Sequence, residues 1–244
     1  MPAILNISSY KFISLDDLPL LQRALKQRCV EAGLRGTVLL AAEGINLFLS
    51  GEEAAVRGVI DWLREDPRFA DLRTKDSWSE QQPFQKMQVK IKGEIIRMNH
   101  PTIRPQDGRS PSVSAQTLRG WLERGQDEEG RPVLLLDTRN AFEVGYGTFK
   151  GAVDLGIQRF SQLPDAIQPH LEDWKDKTVV SFCTGGIRCE KVGILMRELG
   201  LEHSYQLQGG ILQYFEEAGD AHYEGSCFVF DEREAIGADL GLPG

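Results

Sequence analysis

The stretch Thr178-Val179-Val180-Ser181-Phe182-Cys183-Thr184-Gly185-Gly186-Ile187-Arg188-Cys189 constrains this chain more than any other. Thr178 to Phe182 is short and almost wholly apolar, the pattern of a strand buried on both faces of a parallel sheet. It runs into a Gly-Gly loop and then into a helical pattern with Val192, Leu195, Met196 and Leu199 on one face. Such a unit needs parallel neighbours. Val133 to Leu136 and Ser204 to Leu207 read as further short strands, and Ser114 as the cap of a helix carrying Leu118, Trp121 and Leu122. Gly209-Gly210 opens a helix with Leu212 and Phe215, so the second half is expected to be parallel α/β.

A cysteine between a buried strand and a helix start is placed to ionise. Gly185 and Gly186 let the backbone curl so that successive N–H groups face the Cys183 sulfur. The positive end of the following helix and the Arg188 charge favour the same anion, so the Cys183 pKa is expected to fall below that of a free thiol. The loop Thr184, Gly185, Gly186, Ile187, Arg188 would equally hold a persulfide or an enzyme-bound adduct. A cysteine phosphatase places its arginine six positions after the nucleophile; here that position is Cys189, and the shorter cradle suits one sulfur better than a phosphate. The competing reading is a cysteine that merely packs. Cys189 either resolves an oxidised Cys183 or packs beside it.

The first hundred residues alternate strands and helices. Ile4 to Phe12 reads as a strand, and Asp16-Asp17 as the cap of a helix with Leu18, Leu21, Leu25 and Cys29. Thr37 to Ala42 and Ile45 to Leu49 flank Glu43-Gly44 as a hairpin, and Val56, Val59, Ile60 and Leu63 mark a second helix. Leu72 to Trp78 and Val89 to Met98 read as further strands. The order β-α-β-β-α-β is that of a split βαβ sandwich of ferredoxin type.

Charge divides the chain. Residues 1–112 hold 16 Lys/Arg against 14 Asp/Glu, whereas 113–244 hold 12 against 22, within a net charge of −8. A polyanion is expected to be gripped by the first half. From Lys86 to Arg109, six cations (Lys86, Lys90, Lys92, Arg97, Arg104 and Arg109) face two acids. They are either guards on a strand edge with a solvated linker, or a strip that contacts phosphates. Residues 101–112 contain Pro101, Pro105 and Pro111 and read as a Pro-rich, extended linker.

The four cysteines, Cys29, Cys183, Cys189 and Cys227, form no C-x-x-C pair, which excludes a disulfide scaffold and a four-cysteine zinc site. Cys29 and Cys227 are expected to be buried and inert. His100, His170, His203 and His222 are scattered, and no metal site, flavin or nicotinamide fingerprint is present in the sequence. No apolar run is long enough to span a bilayer, and Met1 to Asn6 shows no secretory signal, so a cytoplasmic protein without a membrane role is expected. No obligate protein partner is evident.

The segments Leu135-Leu136-Asp137-Thr138-Arg139-Asn140-Ala141-Phe142-Glu143, Cys183 to Arg188 and Leu207-Gln208-Gly209-Gly210-Ile211 together resemble a rhodanese domain. Asp137, Arg139 and Glu143 match the D-x-R-x-x-x-E element that braces the active loop in that family. The alternative for them is a salt-bridge network that holds the fold, the better reading for Asp137 and Glu143. With Ala41-Ala42-Glu43-Gly44-Ile45-Asn46, the nine residues from Cys183 to Lys191, and Cys227-Phe228-Val229-Phe230-Asp231, nearly the whole chain is similar to the rhodanese-related tRNA uridine hydroxylase family. Glu43 and Asn46 serve the hairpin turn or touch RNA.

The resemblance implies a ferredoxin-like (acylphosphatase-like) α+β domain at 1–100, a linker at 101–112, a rhodanese-type parallel α/β domain at 113–225 and a tail at 226–244. It implies hydroxylation of the wobble uridine of tRNA at carbon 5, with dioxygen as co-substrate, Cys183 as the essential cysteine and the anticodon region of tRNA as partner. Some members carry a cysteine-rich C-terminal tail; no cysteine follows Cys227, so no function of such a tail is expected. The rival expectations are a thiosulfate or persulfide sulfurtransferase acting on a small acceptor, and a non-enzymatic redox or scaffold module.

Overall fold

A computed structural model describes residues 4–241; residues 1–3 of the expected first domain and 242–244 of the expected tail lie outside the described residues. The chain divides into two compact units, Met1–Ile96 with Phe230–Arg233, and Arg97–Val229 with Glu234–Gly244.

The first unit runs β1 (Ile4–Phe12), α1 (Leu18–Glu31), β2 (Arg35–Ala41), β3 (Gly44–Gly51), α2 (Glu53–Arg64), β4 (Lys75–Ser79) and β5 (Met87–Ile91). Its sheet has the order β4-β1-β3-β2-β5. The first four strands form the expected antiparallel ferredoxin-like core, and β5 adds to it in parallel with β2. Register places Ile7 beside Leu49, Leu47 beside Val38 and Val38 beside Val89, so one face is apolar. Leu21, Leu25 and Cys29 of α1 and Val56, Val59, Ile60 and Leu63 of α2 cover that face.

Three local expectations change. Asp17 precedes α1 without capping it; its carboxylate is held by Arg68, Nη1–Oδ1 2.7 Å and Nη2–Oδ2 3.0 Å. The strand expected over 89–98 ends at Ile91, and Ile95 and Met98 are buried without being in a strand. Glu43 Oε1 accepts the Ile95 N–H at 2.7 Å and Asn46 Nδ2 donates to the Ile95 carbonyl at 3.3 Å, which satisfies this backbone where no strand partner does. Glu43 and Asn46 are thus tied to this segment as well as to the hairpin. Residues 230–233, expected in a tail, belong to the first unit: Arg233 Nη1 donates to Ser77 Oγ at 2.8 Å, and the Glu232 N–H to the Pro83 carbonyl at 3.1 Å.

The second unit comprises β6 (Ser112–Val113), α3 (Ala115–Arg124), β7 (Val133–Asp137), α4 (Ala141–Val144), β8 (Gly147–Phe149), β9 (Val153–Asp154), α5 (Leu163–Ile167) and α6 (Leu171–Trp174). It continues with β10 (Thr178–Phe182), α7 (Ile187–Glu198), β11 (Ser204–Leu207), α8 (Gly210–Ala218), β12 (Tyr223–Gly225), β13 (Cys227–Phe228) and β14 (Ala235–Ile236). The main sheet, β6-β11-β10-β7-β9, is parallel throughout. All five residues of central β10 are buried. Ser114 caps α3 as expected, accepting the Thr117 N–H at 3.1 Å.

The passage 101–112 is not an extended linker. Ile103, Pro105 and Ser110 are buried, and Arg109 Nε reaches Glu190 Oε2 on α7 at 3.0 Å. The carboxylate of Glu190 is 2% exposed, so the arginine compensates a charge that burial would otherwise penalise heavily. The expected tail is also folded: β13 and β14 pair, with Cys227, Val229 and Ile236 in the core of the second unit.

Candidate functional site

Three parallel strands end at the same edge of the second sheet, the edge where open α/β folds place their ligands. Asp137 ends β7, Cys183 follows β10, and Gly209-Gly210 follow β11. The cradle from Cys183 to Arg188 lies between them.

The Gly186 N–H donates to Cys183 Sγ at 3.1 Å. Gly186 holds this position with φ 96° as the residue before α7, a left-handed conformation that favours glycine. The cradle is closed from behind by α8. The Ile211 N–H donates to the Cys183 carbonyl at 2.9 Å and the Leu212 N–H to the Thr184 carbonyl at 3.0 Å. This approach requires Gly210, where a Cβ would meet the Cys183 carbonyl oxygen at 2.4 Å and the Gly186 nitrogen at 2.7 Å. Gly210, expected at a helix entry and within the segment that resembles a rhodanese domain, is thus also a part of the site.

Burial works against a charged Cys183. The Cys189 thiol, the Arg188 guanidinium and the Arg188 and Gly186 N–H groups outweigh it and bring the Cys183 pKa down to about 5. Cys189, buried and beside it, is pushed up by burial and by the Cys183 charge, so it remains a thiol that donates to the thiolate. Thr138 Oγ1 lies 3.8 Å from Cys189 Sγ and donates to the Phe182 carbonyl at 2.9 Å, fixing the floor beneath both sulfurs. The other two cysteines are buried and their pKa values are raised, chiefly by burial, each to about 12.

One buried ion pair braces the loop, and a second secures the segment from which its carboxylate comes. Arg188 grips Glu143 through Nη1–Oε2 at 2.6 Å and Nη2–Oε1 at 2.7 Å. Arg139 holds Asp137 through Nη2–Oδ2 at 2.7 Å and Nε–Oδ1 at 3.0 Å, and also donates to the Gly147 carbonyl at 2.6 Å. Arg139 is fully buried and serves this network rather than an open ligand site. Thr184 Oγ1 donates to the Phe228 carbonyl at 3.4 Å, so β13 is attached to the loop as well.

The six cations, candidates for either edge guards or a phosphate-contacting strip, are all exposed, but not all in one unit. Lys86, Lys90 and Lys92 lie on or beside edge strand β5 of the first; Arg97, Arg104 and Arg109 belong to the second. Arg104 pairs with Asp107 at 2.6 Å, and Arg109 is engaged by Glu190. Among the described residues, no group of three or more His, Cys, Asp or Glu side chains is placed to hold a metal ion, and no helix is long and apolar enough to cross a membrane.

Residues 4–95 match the UPF0176 acylphosphatase like domain, and residues 114–217 the rhodanese-like domain. Over its length the chain is similar to the tRNA uridine(34) hydroxylase of Delftia acidovorans, 60% identical over 242 residues, covering 99% of this chain and 92% of that protein. The protein of the same name from Variovorax paradoxus is 59% identical over 240 residues, covering 98% and 91%. That of Thiobacillus denitrificans is 58% identical over 238 residues, covering 98% and 96%.

Proposed function

This chain belongs to the tRNA uridine(34) hydroxylase family, and from that premise we propose that it hydroxylates carbon 5 of uridine 34 in tRNA through Cys183, with dioxygen as the oxygen source. The product is 5-hydroxyuridine, the anticodon region of tRNA is the partner, and the cytoplasm is the place of action. The observation that carries the role of Cys183 is its cradle: a sulfur held as thiolate by Gly186, Arg188 and Cys189 at the carboxyl edge of a parallel sheet.

A thiolate adding to carbon 6 of the uracil ring leaves carbon 5 carrying the electron pair, able to attack an electrophilic oxygen. Loss of the carbon 5 proton and departure of the Cys183 thiolate then restore the ring double bond. With dioxygen as oxidant the second oxygen atom leaves as water, and the two electrons and two protons this takes come from an external two-electron donor such as a small dithiol. Arg188 and Cys189 stabilise the thiolate at both ends of this sequence, as attacking and as leaving group. Glu143 positions the cradle through Arg188, and Arg139, paired with Asp137, holds the Glu143 backbone through its carbonyl.

Nucleoside mass spectrometry of tRNA from three strains tests the reading: gene deleted, gene restored, and Cys183→Ser restored. Loss of 5-hydroxyuridine derivatives on deletion, recovered by the wild type and not by the serine variant, is the expected result. Unchanged tRNA in all three, with no overlapping pathway present, would overturn it. Thiocyanate release from thiosulfate and cyanide would then make sulfur transfer the working description.

A further inference from the structure

The Glu143 pair with Arg188 and the Thr184 bond to Phe228 have a second consequence at the rim of the cradle. Phe142 precedes Glu143 on α4, and Tyr146 follows that helix. Phe142 is 49% exposed and Tyr146 39% exposed, in a unit whose other large aromatic rings are mostly core. Both rest on Phe228: Phe142 meets it edge to face, centroids 5.1 Å apart at 86°, and Tyr146 at 5.3 Å and 55°. Tyr146 Oη also reaches Glu234 Oε2 at 3.4 Å.

We propose that Phe142 and Tyr146, held by Phe228, form a stacking platform for an unpaired nucleobase of the tRNA anticodon loop next to Cys183. The inference rests on the hydroxylase reading for the identity of the RNA. Its geometry stands apart from that reading: two half-exposed aromatic rings are fixed by a third and bonded through Glu143 and Thr184 to the cradle itself.

Charge favours stacking over phosphate contacts as the way this half would hold such a loop. Residues 113–244 hold 22 Asp/Glu against 12 Lys/Arg, so this half offers little to a phosphate backbone. Stacking needs no cation, and every base presents an apolar π face to an aromatic ring. Single-stranded loops are recognised in this way because their bases can be splayed out. An acidic domain can therefore hold a uridine loop by the bases and leave the phosphates in solvent.

The experiment measures binding of a synthetic anticodon stem-loop RNA by fluorescence anisotropy, in the full chain carrying Cys183→Ser so that no turnover occurs. Phe142→Leu keeps apolar bulk over Phe228 and removes the π face; Phe142→Trp restores it. Phe142→Leu is expected to weaken binding roughly fivefold or more, Phe142→Trp to bind within about twofold of the parent, and Phe142→Leu combined with Tyr146→Leu to bind most weakly. Removing the base on one side of uridine 34 is expected to abolish the difference between the parent and the Phe142→Leu variant for that RNA. Thermal melting checks that each variant folds. Leucine variants that bind like the parent would overturn the platform, even if the wild type hydroxylates tRNA. Weakened binding by the leucine variants, with a wild type that leaves uridine 34 unmodified, would keep the platform and remove the hydroxylase reading.

Discussion

Arg188 and Glu143 meet in a two-bond ion pair, 2.6 and 2.7 Å, with side chains 5% and 0% exposed. One arginine therefore does two things. It balances a carboxylate on α4 and lends positive potential to the Cys183 sulfur at the start of α7.

Glu143→Gln keeps the shape of that contact and removes its charge. Leaving Arg188 buried without its carboxylate is expected to cost about 3 kcal/mol of stability in denaturant unfolding. The freed positive potential then falls on Cys183, so its thiolate forms at lower pH than in the wild type. The ultraviolet thiolate absorbance, taken as the difference from Cys183→Ser, reads this shift.

The same absorbance in the wild type is expected to appear with a midpoint near pH 5, well below the 9.0 of an unperturbed thiol. Arg188→Met moves the midpoint upward. Between these pH values the unfolded chain carries one more proton at Cys183 than the folded chain. The stability contributed by this ionisation is complete above about pH 9 and is lost as pH falls through about 5. The stability difference between wild type and Cys183→Ala should therefore grow in the wild type's favour from pH 5 to pH 8.

Cys189 separates a hydrogen-bond donor from a redox partner. Cys189→Ala removes the donor and is expected to raise the Cys183 midpoint, while Cys189→Ser keeps it near the wild-type value. Equal shifts in both variants would mean that the thiol acts through its sulfur and not through its proton.

Two glycines of this region look alike on paper and differ in space. At Gly210, with φ 68°, an added Cβ strikes the Cys183 and Thr184 carbonyls and the Gly186 nitrogen. Gly210→Ala is expected to lose about 2 kcal/mol or more, with the thiolate signal disturbed. At Gly185 an added Cβ meets nothing within 4 Å, so Gly185→Ala should change stability by about 0.5 kcal/mol or less. Thermal and denaturant unfolding of both variants decide the matter.

Much of this site was legible because its physics is local. An apolar five-residue strand, a thiol, two glycines and a helix start lie in one continuous run, and their electrostatic effect on Cys183 follows from adjacency. Apart from the Glu143 brace that the resemblance implied, partners far apart in sequence were not legible. Arg109 finds Glu190 across 81 residues, which turns three prolines and a basic run from a free linker into a packed segment. Ile95 looks like a strand residue because it is apolar, yet its backbone is secured by Glu43 and Asn46 from the hairpin. Strands of two residues, such as β6 and β9, have no periodicity to detect. Gly210 was visible as a turn residue, but its role against the Cys183 carbonyl depends on α8 returning to β10.

Residues 230–233 bear on how the protein is made. The Asp231–Arg233 pair, the Arg233 bond to Ser77 and the Glu232 bond to Pro83 complete the first unit with chain that follows the main sheet of the second in sequence. Domains generally fold as units, the N-terminal one first, while synthesis proceeds. Here the earliest-made sheet can assemble during translation, but its finishing piece arrives only after the rhodanese strands have been made.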